Sequence, residues 1–170
     1  MLSGWSNFFA MTGAAGATLV GLLFVVVTLG SGLSASRKLD IAHASLTPAL
    51  YSFAGVLFQS MVVLVPWQSN WSSGLVFVVM GIAGSIYRTN AVRVRSSLHD
   101  RAIRSTMDRI LHNVTPIAAS VILTFGGAGL IAGRDFAPFA IAGSTALFLL
   151  SGIYRTWGET LALIGPPDQS

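Results

Sequence analysis

Two histidines stand in matching surroundings. Asp40 lies three residues before His43, and Asp108 four before His112; both spacings put the pair on one helical face. A Thr-Pro pair follows each, Thr47-Pro48 and Thr115-Pro116. Imidazoles placed this way can report cytoplasmic pH or ligate one haem from both sides. In residues 101–114, however, Ile103, Met107, Ile110 and Val114 form an apolar stripe, and His112 falls on the opposite face with Arg101, Ser105 and Asp108. If that segment is one helix, His112 faces water or headgroups, whereas cofactor ligands should point into a bundle. A hydrated interfacial histidine is the preferred reading. Haem through His43 and His112 is not expected, and no other cofactor suggests itself.

The remaining chemistry is sparse. With no cysteine the chain has no disulfide, thiolate metal site, iron–sulfur cluster or thiol nucleophile. It also has no metal-ligand cluster, no glycine-rich phosphate loop after a strand, and no nucleophile–base–acid set. An enzyme is therefore not expected.

Composition says where the chain resides. Charged residues make up 9%, against roughly 25% in soluble domains. Apolar residues reach 53% and mean hydropathy is +0.71. The pI near 10.4 does not imply nucleic acid. The basic residues sit in short segments between long apolar runs, not on a soluble face, and no aromatic platform interleaves them. An integral membrane protein is the reading, with residues 1–170 as one transmembrane domain.

Five apolar runs can cross a hydrocarbon core of about 30 Å: residues 8–32, 46–66, 72–88, 114–133 and 136–156. The fold class is all-α, since the runs lack the alternation of a membrane barrel. The first run has no preceding positive charge and is too long for a cleaved signal; it reads as a permanent helix. The turn from Pro66 to Gly74 carries Trp67 and Trp71, which suit the headgroup level. On one side lie Arg37, Lys38, Arg88, Arg93, Arg95, Arg101, Arg104, Arg109 and Arg155, and on the other Arg134 alone. The positive-inside rule puts the N-terminus outside and the C-terminus in the cytoplasm.

An internal repeat organises the last four runs. Asp40, Thr47, Pro48 and Ser52 recur 68 residues later as Asp108, Thr115, Pro116 and Ser120. Ile86-Tyr87-Arg88-Thr89 recurs 67 residues later as Ile153-Tyr154-Arg155-Thr156. The expected architecture is one helix plus two duplicated hairpins of the same orientation. Thr47-Pro48 and Thr115-Pro116 read as helix starts, with threonine capping and proline in the first turn. The alternative is a continuous helix whose prolines free the carbonyls of Ala44 and His112. Tyr87-Arg88 and Tyr154-Arg155 read as interfacial anchors. As a pair, the two arginines suggest instead a hold on an anionic ligand or a partner's carboxylate.

The first run carries small residues on one side: Ala10, Gly13, Ala14, Ala17 and Gly21. Such a face packs closely on neighbours or lines a pore; Gly126, Gly127, Gly129 and Gly133 admit the same two readings. No charge lies deep in any span, which argues against a proton relay or an intramembrane enzyme. Gln59 is the most polar group in mid-membrane. Candidate pore or gate residues are thus Gly13, Ala17, Gly21, Gln59, His43 and His112. Residues 88–113 read as a basic amphipathic segment on anionic lipid, each basic group contributing about 1 kcal/mol. Arg88, Arg93, Arg95, Arg101, Arg104 and Arg109 are its candidate lipid or partner contacts.

Trp5-x-x-Phe8-Phe9 and Gly13-Ala14-Ala15-x-Ala17-Thr18-Leu19-x-Gly21-Leu22-Leu23-Phe24-Val25 resemble a family of small, uncharacterised bacterial inner-membrane proteins. Thr47-Pro48, Pro66-Trp67, His112 and Gly152-Ile153-x-x-x-Trp157 are similar too; that family has His-Asn where this chain has Tyr154-Arg155. The resemblance implies five helices in a bacterial cytoplasmic membrane and no particular activity. Three functions stay open. The first is a small homo-oligomeric channel or passive permeation pathway. The second is a non-transporting scaffold or modulator of a partner membrane complex. The third is a haem-binding electron carrier.

Overall fold

The computed structural model describes residues 2–31, 36–97 and 114–164. Among them are five α-helices and no strand: α1 (Ser6–Ser31), α2 (Ser36–Leu64), α3 (Asn70–Ser97), α4 (Thr115–Ile131) and α5 (Ala137–Ile164). A 3-10 turn, Ser3–Trp5, precedes α1.

The bundle is apolar outside, and its interior mixes small polar residues with an apolar core that includes Phe9, Phe53, Phe77 and Ile141. Ser52, Gln59, Ser60, Ser73, Ser120, Ser144, Thr145 and Ser151 are buried, while Leu22, Phe24, Phe58, Met61, Val79, Ile82, Phe125, Phe139 and Leu150 are exposed. In water that surface would far exceed the apolar patches of soluble monomers. In hydrocarbon it is matched, and small buried residues let helix backbones approach. Four helices are long and apolar enough to cross a membrane, with spans Ser3–Val26, Thr47–Leu64, Asn70–Asn90 and Ala137–Trp157. Helix α4 is apolar but shorter, at 17 residues. By this criterion the chain is a membrane protein.

One local expectation is overturned. Thr47-Pro48 does not open a helix: α2 begins at Ser36, and Pro48 lies inside it. Proline is tolerated there because small hydroxyls and neighbouring helices can satisfy disturbed backbone groups. The Ser52 hydroxyl donates to the Pro48 carbonyl at 3.2 Å, a local back-bond one turn after the proline. Pro116 does sit in the first turn of α4, but the expected threonine cap is not there: Thr115 lies within the helix, and the N-cap is Val114, which makes no side-chain cap bond.

Packing follows the order α1 on α2, α2 on α5, α5 on α4 and α4 on α3, whereas the consecutive helices α2 and α3 barely meet. The α3–α4 crossing explains this choice of neighbour. A Cβ on Gly74 would lie 2.8 Å from the Gly127 carbonyl, and one on Gly127 would lie 2.8 Å from the Gly74 carbonyl. The two backbones touch, as a small-residue ridge allows.

The turns are closed by local bonds. Trp67 Nε1 donates to the Val62 carbonyl at 2.6 Å, past the end of α2. Ser69 Oγ accepts from the Trp71 N–H at 3.2 Å, the bond of an N-cap. After α4, Arg134 N–H donates to Gly129 O at 2.9 Å and Gly133 N–H to Leu130 O at 3.2 Å, a Schellman motif. Its left-handed residue is Gly133, with φ 66°. Gly133→Ala is therefore expected to cost about 1–2 kcal/mol, read as a lower unfolding midpoint in detergent. The N-terminal turn joins this end of the bundle, where the Trp5 ring meets Phe139 edge-on at 4.8 Å.

Candidate functional site

Because α2 and α3 diverge, a crevice of about 250 Å³ opens between them. Tyr51, Gly55 and Gln59 of α2 form one wall, and Met80, Gly84 and Arg88 of α3 the other. Each set repeats every four residues, so each stays on one face and covers about 12 Å of helix. Ser120 and Leu123 of α4 and Phe148 of α5 close the back. One side stays open, so this is a cleft, not a sealed void.

The end near Arg88 is the charged one. Tyr51 and Tyr87 stack across the gap with ring centroids 4.8 Å apart and planes tilted by 41°. The Arg88 guanidinium lies over the Phe148 ring, 4.6 Å from its centroid, a cation–π contact that strengthens when desolvated. Arg155 is 8% exposed and close enough for the two positive charges to repel. The sequence pair Tyr87-Arg88 and Tyr154-Arg155 thus converges on one end of the bundle, with Arg88 inside the crevice wall.

Gln59 marks the middle. Thr145 Oγ1 lies 2.7 Å from Gln59 Oε1 and 2.9 Å from the Ile141 carbonyl, so one hydroxyl proton serves two acceptors. This bond ties α2 to α5 and fixes the amide against the crevice. Since Thr145 keeps Ile141, Gln59→Leu should cost only about 0.5–1.5 kcal/mol. A double-mutant cycle with Thr145→Val should give a coupling of about 0.6–1.7 kcal/mol, measured by unfolding in detergent.

Positions related in the sequence repeat carry the same local bonds. Ser120 donates to Pro116 O at 3.0 Å, as Ser52 does to Pro48. Thr89 donates to Ser85 O at 2.7 Å and Thr156 to Gly152 O at 2.9 Å. The pairs are nevertheless packed differently: α4 and α5 pack along one another, and α2 and α3 do not.

The residues proposed from sequence do not form one site. A Cβ on Gly13 would lie 2.8 Å from Ser60 Cβ, so Gly13 serves the α1–α2 contact, and Gly21 has nothing within 4 Å. Ala17 and Gly21 are exposed on the outer side of α1. Of the pore candidates with described side chains, only Gln59 lines the crevice; Arg88, proposed as a lipid contact, joins it. The side chains of His43, Arg93 and Arg95, and all of Arg101, Arg104, Arg109 and His112, lie outside the described residues. Among the described residues no group of His, Cys, Asp or Glu could hold a metal. Sequence reasoning missed Tyr51, Gly55 and Phe148; an aromatic or a glycine in an apolar run has no distinguishing signal. No family model matches the chain, and no curated protein or solved structure is significantly similar to it.

Proposed function

We propose that the protein is a multi-pass inner-membrane protein with a passive permeation pathway, and that the α2–α3 crevice is its inner mouth. The observation that carries this reading is the divergence of two consecutive apolar helices around a partly polar cleft of about 250 Å³. Gln59, Ser120 and Arg88 give a solute polar partners along it. The pathway then belongs to a single chain, not to an α1-lined ring. We read α4 as a fifth crossing: its 17 residues span about 25 Å, and it packs on both α3 and α5. The charge count favours an outside N-terminus, and in that orientation Arg88 would be at the cytoplasmic end.

The outward face of α1 favours a second reading. Ala10, Ala14, Ala17 and Gly21 are all exposed, and small residues accept a partner helix. A homo-oligomer, or a scaffold that modulates a partner complex, would use that face.

Conductance of purified protein in planar bilayers tests the first reading. Unitary currents are expected, and they should vanish in Gly55→Phe. Currents unchanged by Gly55→Phe would move the pathway out of the crevice. Silence from folded, inserted protein would favour the scaffold.

A further inference from the structure

We propose that the crevice binds an anionic amphiphile, with a phosphate or carboxylate head at Arg88 and one apolar chain along Met80, Leu123 and Phe148. The argument starts from the guanidinium. Arg88 lines the crevice and is held over Phe148 at 4.6 Å, which leaves its N–H fork available to an oxyanion. Among residues with described side chains the only carboxylate is Asp135, in the turn at the far end of the bundle. An anionic head at Arg88 balances the guanidinium charge, and a cationic ligand would be repelled by it.

The walls select the rest of the ligand. Beyond Arg88 they are apolar, apart from Gln59 and Ser120, so a hydrated inorganic ion would lose water without replacement. The volume of about 250 Å³ equals roughly eight waters and falls below the roughly 300 Å³ of the smallest drug-sized pockets. One short alkyl chain fits; a bulky ring system does not. The open side lets such a chain enter from the bilayer.

The inference rests on an accessible crevice, not on flux through it. The probe is octyl phosphate, titrated into full-length protein in phosphatidylcholine nanodiscs, with empty nanodiscs subtracted. Saturable binding is expected, weakened at least tenfold in Arg88→Gln, only partly weakened in Arg88→Lys, and lost in Gly55→Phe. Arg134→Gln, at the other end, should bind like the unaltered chain. Melting curves for each variant separate lost binding from lost fold, and Arg88→Lys keeps the test valid should Arg88→Gln misfold. Equal binding by Arg88→Gln, or equal binding of octyltrimethylammonium or of inorganic phosphate, would overturn the inference. Adding phosphatidic acid to the nanodiscs identifies the source. Competition with octyl phosphate indicates a membrane lipid, and no competition a soluble amphiphile; both support the inference. Arg88-dependent binding by a non-conducting protein would retire the permeation reading and keep this one. Currents sensitive to Gly55→Phe without any binding would do the reverse.

Discussion

Gly81→Ala is expected to destabilise the bundle by about 1–3 kcal/mol or more. The added Cβ would run into Thr124 Oγ1 and lie 2.8 Å from both the Ser120 carbonyl and the Thr124 amide nitrogen. Two of those three atoms are backbone, so no rotamer change relieves the contact. Gly127→Ala meets the Gly74 carbonyl and the Val78 amide at 2.8 Å each and should behave alike. The control is Gly143→Ala on α5, where a Cβ has nothing within 4 Å. Removing glycine from an open helical position should gain about 0.5–1 kcal/mol. Unfolding in mixed detergent, followed by circular dichroism, ranks the three variants. Equal behaviour of Gly81→Ala and Gly143→Ala would show that the α3–α4 contact is not as close as described.

Gly55→Phe should abolish function while sparing the fold. Gly55 stands between Tyr51 and Gln59 on the crevice wall, and a Cβ there meets nothing within 4 Å. A phenyl ring therefore enters empty space and occupies much of the volume a solute would use. The cost to stability should be smaller than at Gly81, because the added Cβ meets no packed atom. Conductance, if the pathway is the crevice, should fall at least tenfold. The two glycine substitutions thus make opposite statements. At Gly81 the space is taken by backbone and the fold fails; at Gly55 the space is open and only transit fails.

Part of this was legible in the sequence. Long runs free of charge locate the spans, because an unpaired charge in hydrocarbon is costly. The turns follow from Pro66 and from Gly133-Arg134-Asp135, where the helix must stop. The start of α2 was not legible. Thr47-Pro48 has the chemistry of a helix start, yet surrounding helices can hold a proline in mid-helix, which one segment read alone cannot reveal. The crevice was less legible still. Consecutive helices joined by a short turn are expected to pack as a hairpin. Here the ridge of Gly74 and Gly81 draws α3 onto Gly127 and Ser120 of α4 instead, and α2 is left against α1 and α5. The glycines are visible in sequence, but their partners are set by tertiary packing. Arg88 was visible as an interfacial anchor, and only the Phe148 ring beneath it shows that it faces inward. Ser144 Oγ is buried without a hydrogen-bond partner among the described residues, and we have no physical account of it.

The central claim is that α2 and α3 enclose an accessible crevice, and cysteine labelling tests it most directly. The chain has no native cysteine, so each introduced thiol reports alone. Gly55→Cys and Ala83→Cys, both in the crevice wall, should react with a small anionic methanethiosulfonate from the cytoplasmic side, and faster than with its cationic analogue. Val79→Cys and Ile82→Cys, on the outward face of α3 at 58% and 47% exposure, should stay unreactive in lipid. Silence at Gly55 and Ala83, or equal labelling at all four positions, would contradict the account.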